Sequence, residues 1–141
     1  FKEAYLSVRR PLLQLLHTAA GGEGKLAEEG WEVLCTGHSM GGSLAMLLSH
    51  ELSEALPRNR ISMYSYGQPR TGNSAFAARY DRANGDSFRI VNEWDVIARF
   101  PRAQNASVFD YEHAARTVLP NYLGCDEGIW VSTSHINHRR H

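Results

Sequence analysis

One serine in the chain has neighbours that suit nucleophilic chemistry. The stretch "CTGHSMGGSLAML" sets Ser39 two positions after Gly37 and two positions before Gly41. This spacing is the G-x-S-x-G pattern of a sharp turn that joins a strand to a helix and exposes a serine at the edge of a sheet. Such a turn is strained and crowded, which favours glycine on both sides. The pattern predicts Ser39 as a nucleophile, in a turn formed by Gly37, His38 and Gly41.

The segments around Ser39 decide whether the pattern is meaningful, because it also fits a glycine-rich turn with an incidental serine. "WEVLCTG" before it is a short apolar run typical of a buried strand. "SLAMLLSHELSEAL" after it is rich in helix formers and ends before Pro57. A strand followed by a helix is the context that the motif requires, and it makes the Met40 N–H the expected oxyanion donor.

A nucleophilic serine needs a histidine base, and the base needs an acid that fixes its tautomer. Asp95, in "FRIVNEWDVIARFPR", follows a predicted strand at the carboxyl edge where such sites form. Asp81 and Asp86 lie in or beside a predicted helix, and Glu93 can point to the opposite side of the chain. We therefore predict Asp95 as the acid, with a loop-capping aspartate as the alternative.

The base is harder to assign from residue types alone. Four histidines follow the predicted acid in the chain: His113, His135, His138 and His141. His113 precedes "ARTVLP", whereas His135 and His138 lie in the polar stretch "SHINHRRH" after the last apolar run. A loop after that run can fold back over the sheet edge, but spacing does not choose among these rings.

The late histidines also raise the alternative of a metal site. Zinc would need further ligands beside them, and only Cys125 and Asp126 offer any nearby. Hydroxyl, imidazole, carboxylate and backbone N–H groups are sufficient for acyl transfer. We expect no metal and no organic cofactor.

Bulk composition excludes several classes of function. The 141 residues, 43% hydrophobic and 21% charged, fit one globular domain over residues 1–141. Fifteen basic and fifteen acidic residues give zero formal charge, which argues against a nucleic-acid partner. No run approaches the roughly 18 apolar residues of a membrane-spanning helix. Two cysteines form no disulfide framework and do not fix the compartment, and the oligomeric state stays open.

The remaining periodicities predict the elements that must hold these groups. An apolar stripe predicts a first helix ending at Gly21 and Gly22, and its members are Phe1, Tyr5, Val8, Leu12, Leu15 and Leu16. "ISMYSYG" and "SFRIVN" are predicted strands, "NSAFAARYDRA" is a predicted helix, and "ARTVLP" and "GIWVS" are weaker strand predictions. This alternation predicts an α/β fold with a mostly parallel sheet flanked by helices.

Four segments in order resemble one known family, the class 3 lipases of the α/β-hydrolase superfamily. "FKEAYLSVRRPLLQLL" resembles the helix before the nucleophile strand, and "CTGHSMGGSLAMLLSHEL" is similar to the family's T-G-H-S-L-G-G turn. "YSYGQPRTGNSAFAARYD" resembles its G-x-P-R-x-G-N segment, and "FRIVNEWDVIARFPR" resembles the segment that carries its acid. The resemblance covers most of the chain.

The resemblance implies an acylglycerol lipase or a related carboxylic ester hydrolase, acting on lipid esters at a membrane or droplet surface. It makes Ser39 the nucleophile and Asp95 the triad acid. The family's late base matches His138 best, with His135 in reserve, whereas His113 falls in a Tyr-x-His segment of structural role. A phospholipase or galactolipase with the same mechanism, and a lipase-like interaction domain without turnover, are the alternatives.

Two departures from the family pattern stand out. The family's second oxyanion donor and its lid lie upstream of the first helix and are not in this chain. The chain also stops at His141, where the family usually continues. We expect a fragment whose sheet is incomplete at the N-terminal side.

Overall fold

The computed structural model describes residues 1–22, 24–28, 30–92, 94–101, 110–119 and 130–132. Its α-helices in these ranges are α1 (Lys2–Ala19), α2 (Met40–Ala55) and α3 (Ser74–Ala83). Its strands are β1 (Glu32–His38), β2 (Arg60–Tyr66), β3 (Gly72–Asn73), β4 (Ser87–Ile90), β5 (Tyr111–Glu112), β6 (Arg116–Leu119) and β7 (Trp130–Ser132). Short 3-10 helices lie at Lys25–Ala27 and Ile97–Arg99.

Five strands form the main sheet, in the order β1-β2-β4-β6-β7. The first three pairings are parallel, and only β7 runs antiparallel to its neighbour β6. Cys35 lies opposite Met63, and Tyr66 lies opposite both His38 and Ile90. The carboxyl ends of β1, β2 and β4 therefore meet at one edge. The predicted α/β fold with a mostly parallel sheet is confirmed.

The hydrophobic core lies between this sheet and the helices. Met63 on β2, Met46 on α2 and Tyr80 on α3 are at most 1% exposed. Burying side chains of this size contributes about 1.5 to 3 kcal/mol each. The Tyr80 hydroxyl pairs with both Ser49 and Ser87 at 2.9 Å, so the polar end of the ring is satisfied inside the core. These contacts fix α2, which carries the glycine-rich turn at its start.

Helix α1 packs on α2 and ends as predicted, with Gly21 at φ 94° and Gly22 at φ 127°. Its apolar stripe differs from the prediction at Leu15, which is 66% exposed, whereas Leu13 packs against the core. The two side chains lie on opposite flanks of the stripe centred on Tyr5, and the core lies on the Leu13 side. No helix in the described residues is both long and apolar enough to cross a bilayer.

A second, two-stranded sheet was not predicted from the sequence. Strands β3 and β5 pair antiparallel, with Gly72 opposite Glu112 and Asn73 opposite Tyr111. Each strand has only two residues, which is too short for an alternating pattern to be recognised. The pairing anchors the start of α3, where the Asn73 side chain accepts from the Phe76 N–H at 2.9 Å.

Candidate active site

Ser39 lies at the junction of β1 and α2 in a strained backbone conformation. Its φ of 53° and ψ of −123° fall outside the wells that L residues normally occupy. The conformation costs about 1 to 3 kcal/mol, so the surrounding structure must impose it. The Ser39 N–H donates to the Tyr66 carbonyl at 2.9 Å, and the Ser39 carbonyl accepts from the Gly42 N–H at 3.0 Å. Strand and helix together hold the turn.

Close packing explains why the turn needs glycine at Gly37. A Cβ added at Gly37 would lie 2.3 Å from the Gly41 carbonyl oxygen and 2.8 Å from the Gly42 nitrogen. The predicted crowding at Gly41 is wrong, because a Cβ there would meet no described atom within 4 Å. The second tight position is Gly42, whose added Cβ would lie 3.0 Å from the Ser65 Cβ. The turn is crowded where α2 begins to cross β1 and β2.

This asymmetry gives a matched pair of variants. Gly37→Ala should destabilise the protein by about 1 to 3 kcal/mol or more, because backbone atoms of the next turn cannot move aside. Gly41→Ala should keep the stability and can gain up to about 1 kcal/mol from helix propensity. Thermal unfolding of the two purified variants compares them directly. Equal stability of both would show that the turn is not packed as described.

The start of α2 presents an unused backbone donor beside Ser39. In the described part of the chain, the Met40 N–H makes no hydrogen bond to protein. The first N–H groups of a helix carry partial positive charge, reinforced by the dipole of this 16-residue helix. An oxygen that gains negative charge next to the Ser39 hydroxyl would be stabilised there. Met40 itself is 54% exposed.

Asp95 lies at the same edge of the sheet, over the end of β2. Its Oδ1 accepts from the N–H groups of Ile97 and Ala98, at 2.9 and 3.3 Å. Its Oδ2 lies against Gly67, where an added Cβ would be only 2.6 Å away. The same Cβ would lie 3.6 Å from His38 Nε2, so the two side chains converge above Gly67. One carboxylate oxygen therefore fixes the loop, and the other faces the turn region.

The loop-capping alternative and the acid role are thus compatible for Asp95. The rival acids have other partners: Asp81 accepts from the Ala115 N–H at 2.7 Å, and Asp86 accepts from Arg60 Nε at 2.9 Å. Glu93 lies outside the described residues. The placement of Asp95 near the turn supports its selection over Asp81 and Asp86.

Replacing Asp95 by asparagine should lower kcat by about 10⁴-fold, because an amide cannot stabilise an imidazolium and can hold the wrong tautomer. Asp86→Asn is the matched control, since Asp86 pairs with Arg60 on the surface and its side chain is 47% exposed. That variant should keep the activity within about 2-fold, as expected for the loss of an exposed ion pair. Steady-state ester hydrolysis measures both. Similar losses in the two variants would remove Asp95 from the acid role.

Of the four candidate bases, the structure describes only His113. His135, His138 and His141 lie outside the described residues, so the predicted base remains a prediction. His113 follows β5, and residues on both sides of it contact other elements. Glu112 lies opposite Gly72 on β3, and the Ala115 N–H donates to α3.

Two arginines near the site, Arg89 buried and Arg70 half-buried, were not singled out from the sequence. Arg89 on β4 is 1% exposed, and burial lowers its pKa to about 9. It donates to Thr117 Oγ1 at 2.9 Å and to the Gln68 carbonyl at 3.2 Å. Arg70, whose pKa burial also lowers, donates to the Pro101 carbonyl at 2.7 Å. The "FRIVN" and "GQPRT" segments contained the signal, but a basic residue in a strand or loop gives no sign of burial.

Metal and thiol chemistry have little support among the described residues. They contain no cluster of three or more His, Cys, Asp or Glu side chains that could hold a metal ion. Cys125 and Asp126 lie outside the described ranges. Cys35 is buried in β1, and burial raises the pKa of its thiol to about 11, which keeps it protonated and inert.

The chain is similar in sequence to known lipases and phospholipases. The family model "lipase (class 3)" matches residues 1–105. A phospholipase A1 of Oryza sativa subsp. indica, EG1, is 41% identical over 102 residues, or 70% of this chain and 22% of its own length. The secreted mono- and diacylglycerol lipase LIP4 of Malassezia restricta is 40% identical over 110 residues, or 75% of this chain and 31% of its own.

Among solved structures, lipase II from Rhizopus niveus superimposes with a TM-score of 0.73 at 26% identity. The superposition covers 98% of this chain and 49% of the Rhizopus chain. This chain therefore spans less than a third of the two curated relatives and about half of the solved lipase. Because the family model covers most of the chain and the sheet matches that of a solved lipase, the protein belongs to the class 3 lipase family and has an α/β-hydrolase fold.

Proposed function

We propose that this protein hydrolyses carboxylic esters of acylglycerol lipids through an acyl-enzyme on Ser39. The observation that carries the proposal is the strained Ser39 backbone at the start of α2, beside a Met40 N–H that has no hydrogen-bond partner among the described residues. Strain of this kind persists where a function requires it. The similarity to a mono- and diacylglycerol lipase supports acylglycerols as the substrate class.

In the proposed mechanism, Ser39 Oγ attacks the ester carbonyl carbon while its proton passes to a histidine. The carbonyl oxygen becomes an oxyanion and is stabilised by the Met40 N–H. The tetrahedral intermediate collapses, the alcohol leaves with the proton from the histidine, and the acyl group stays on Ser39. Water then attacks the acyl-enzyme by the same route, which releases the fatty acid and regenerates the serine.

The acid and the base of the proposed triad are assigned from their positions. Asp95 would hold the histidine through Oδ2, because Oδ1 is engaged by the N–H groups of Ile97 and Ala98. We propose His138 as the base, with His135 in reserve. Both follow β7, the last strand of the main sheet in chain order. No step of this mechanism uses a metal or a cofactor.

Phospholipid hydrolysis by the same mechanism is the second candidate. It is favoured by the 41% identity to a rice phospholipase A1, over 70% of this chain. Head-group preference, including a preference for galactolipids, would depend on lid and loop residues rather than on the turn. An interaction domain without turnover is the third candidate, and the strained Ser39 together with the position of Asp95 argues against it.

The candidates separate in one assay on the full-length protein. Fatty-acid release would be measured from a diacylglycerol emulsion, phosphatidylcholine vesicles and a galactolipid dispersion. We expect the fastest release from diacylglycerol. Faster release from phosphatidylcholine or from the galactolipid would favour the second candidate. No release from any of the three would leave the interaction domain.

A further inference from the structure

A five-residue loop after β2 contacts both halves of the candidate site. We propose that Gln68 and Thr71, within this bridging segment (residues 67–71), are positioning residues that hold Ser39 in register with Asp95. The proposal rests on the function proposed above. The segment reads "GQPRT", and none of its side chains has a role in the acyl-transfer mechanism.

Thr71 connects the bridging segment to the start of α2. Its Oγ1 donates to Ser43 Oγ at 3.0 Å and accepts from Gln68 Nε2 at 2.8 Å. Ser43 lies one helical turn after Ser39, and its N–H donates back to the Ser39 carbonyl at 3.4 Å. A short chain of hydrogen bonds thus runs from Thr71 to the nucleophile's own backbone.

The Gln68 side chain anchors the bridging segment to β2 and α2. Its side chain is buried, and its Oε1 accepts from Ser65 Oγ at 2.5 Å. Its Nε2 also contacts Met46 Sδ on α2 at 3.2 Å. Ser43 and Ser65 are fully buried as well. A buried and satisfied polar network is rigid, because each lost bond leaves a buried group unpaired.

The other end of the bridging segment holds the acid loop. Gly67 lies directly against Asp95 Oδ2. The Arg70 N–H donates to the Phe100 carbonyl at 2.7 Å, and its guanidinium donates to the carbonyls of Arg99 and Pro101. The residues after Asp95 are therefore tied to the same segment that is tied to α2.

This arrangement links the two groups whose separation matters most for catalysis. Ser39 and Asp95 come from different strand ends, and no described hydrogen bond joins them directly. The bridging segment spans the gap through Ser43 on one side and the Asp95 loop on the other. Misplacement of reacting groups by about 1 Å can reduce a rate by about 100-fold.

The test uses Thr71→Val in the full-length protein, since valine keeps the shape and removes the hydroxyl. Thr71→Ser restores the hydroxyl and is the rescue variant. Ser43→Ala removes the acceptor on α2, in case the valine variant folds poorly. Ser49→Ala is its matched control, because Ser49 is equally buried on α2 but pairs with Tyr80, away from the bridging segment.

Two rates would be measured for each variant: phosphonylation of Ser39 by a soluble fluorophosphonate, and hydrolysis of a soluble short-chain p-nitrophenyl ester. We expect Thr71→Val to lower kcat and the phosphonylation rate by about 10- to 100-fold, with KM changed by less than about 2-fold. Ser43→Ala should lower the same rates by a smaller factor. Thr71→Ser and Ser49→Ala should stay near wild type.

The outcomes separate the inference from the function on which it rests. Unchanged rates in folded Thr71→Val and Ser43→Ala would overturn the positioning role. So would equal losses in Ser43→Ala and Ser49→Ala at equal loss of melting temperature, because they would reflect stability alone. A wild-type protein that is not phosphonylated at all would contradict the proposed function itself, and the positioning role with it.

Discussion

Replacing Ser39 with alanine is expected to lower kcat for ester hydrolysis by about 10⁶-fold, because a nucleophilic serine cannot be bypassed within a triad. The fold should survive, since the hydroxyl is one atom at a junction held by backbone hydrogen bonds to Tyr66 and Gly42. Alanine bears the same backbone strain as serine at this position, so the strain itself should change the stability little. Activity would be measured by fatty-acid release, and folding by circular dichroism and thermal unfolding.

Ser53→Ala is a suitable control for this prediction. Ser53 also lies on α2, but its hydroxyl donates to Asn84 at 2.6 Å, on the side of α3. That variant should keep full activity. Retention of even a tenth of the wild-type activity in a well-folded Ser39→Ala protein would remove Ser39 from the mechanism.

Replacing His138 with alanine should have an effect of the same size, about 10⁶-fold in kcat, because serine and base act as one unit. The double variant Ser39→Ala/His138→Ala should therefore be no slower than either single variant. His113→Ala should keep most of the activity, since its neighbours contact β3 and α3. The same assay on His135→Ala distinguishes the reserve assignment.

The three histidine variants distinguish the candidate bases from one another. A full loss in His135→Ala with an active His138→Ala would move the base by three residues within the same segment. A full loss in His113→Ala with both late variants active would contradict the late-histidine assignment altogether.

The turn and its flanking elements could be predicted from the sequence because their signals are local. The glycines around Ser39, the apolar run before it and the helix formers after it each report on a few consecutive residues. The structure confirms the strand predicted at 31–37, as β1 (Glu32–His38), and the helix predicted at 43–56, as α2 (Met40–Ala55), which begins three residues earlier. Strand-to-helix alternation then determined the parallel sheet.

What the sequence could not show depends on contacts between distant segments. The crowding at Gly37 but not at Gly41 follows from the path of α2 over β2, which no local pattern reports. The buried links of Gln68 and Thr71 to α2 need three-dimensional neighbours for the same reason. The motif "GQPRT" was visible in the sequence, but its side chains acquire a role only when β2 lies between β1 and β4.

The most direct test is to identify the residue that a fluorophosphonate modifies in the full-length protein. The reagent forms a stable bond with an activated serine oxygen and leaves unactivated hydroxyls unmodified. Peptide mass spectrometry should place a single adduct on Ser39, and the adduct should be lost in Asp95→Asn at equal reagent exposure. An adduct on another serine, or no adduct on a folded protein, would contradict a serine hydrolase centred on Ser39.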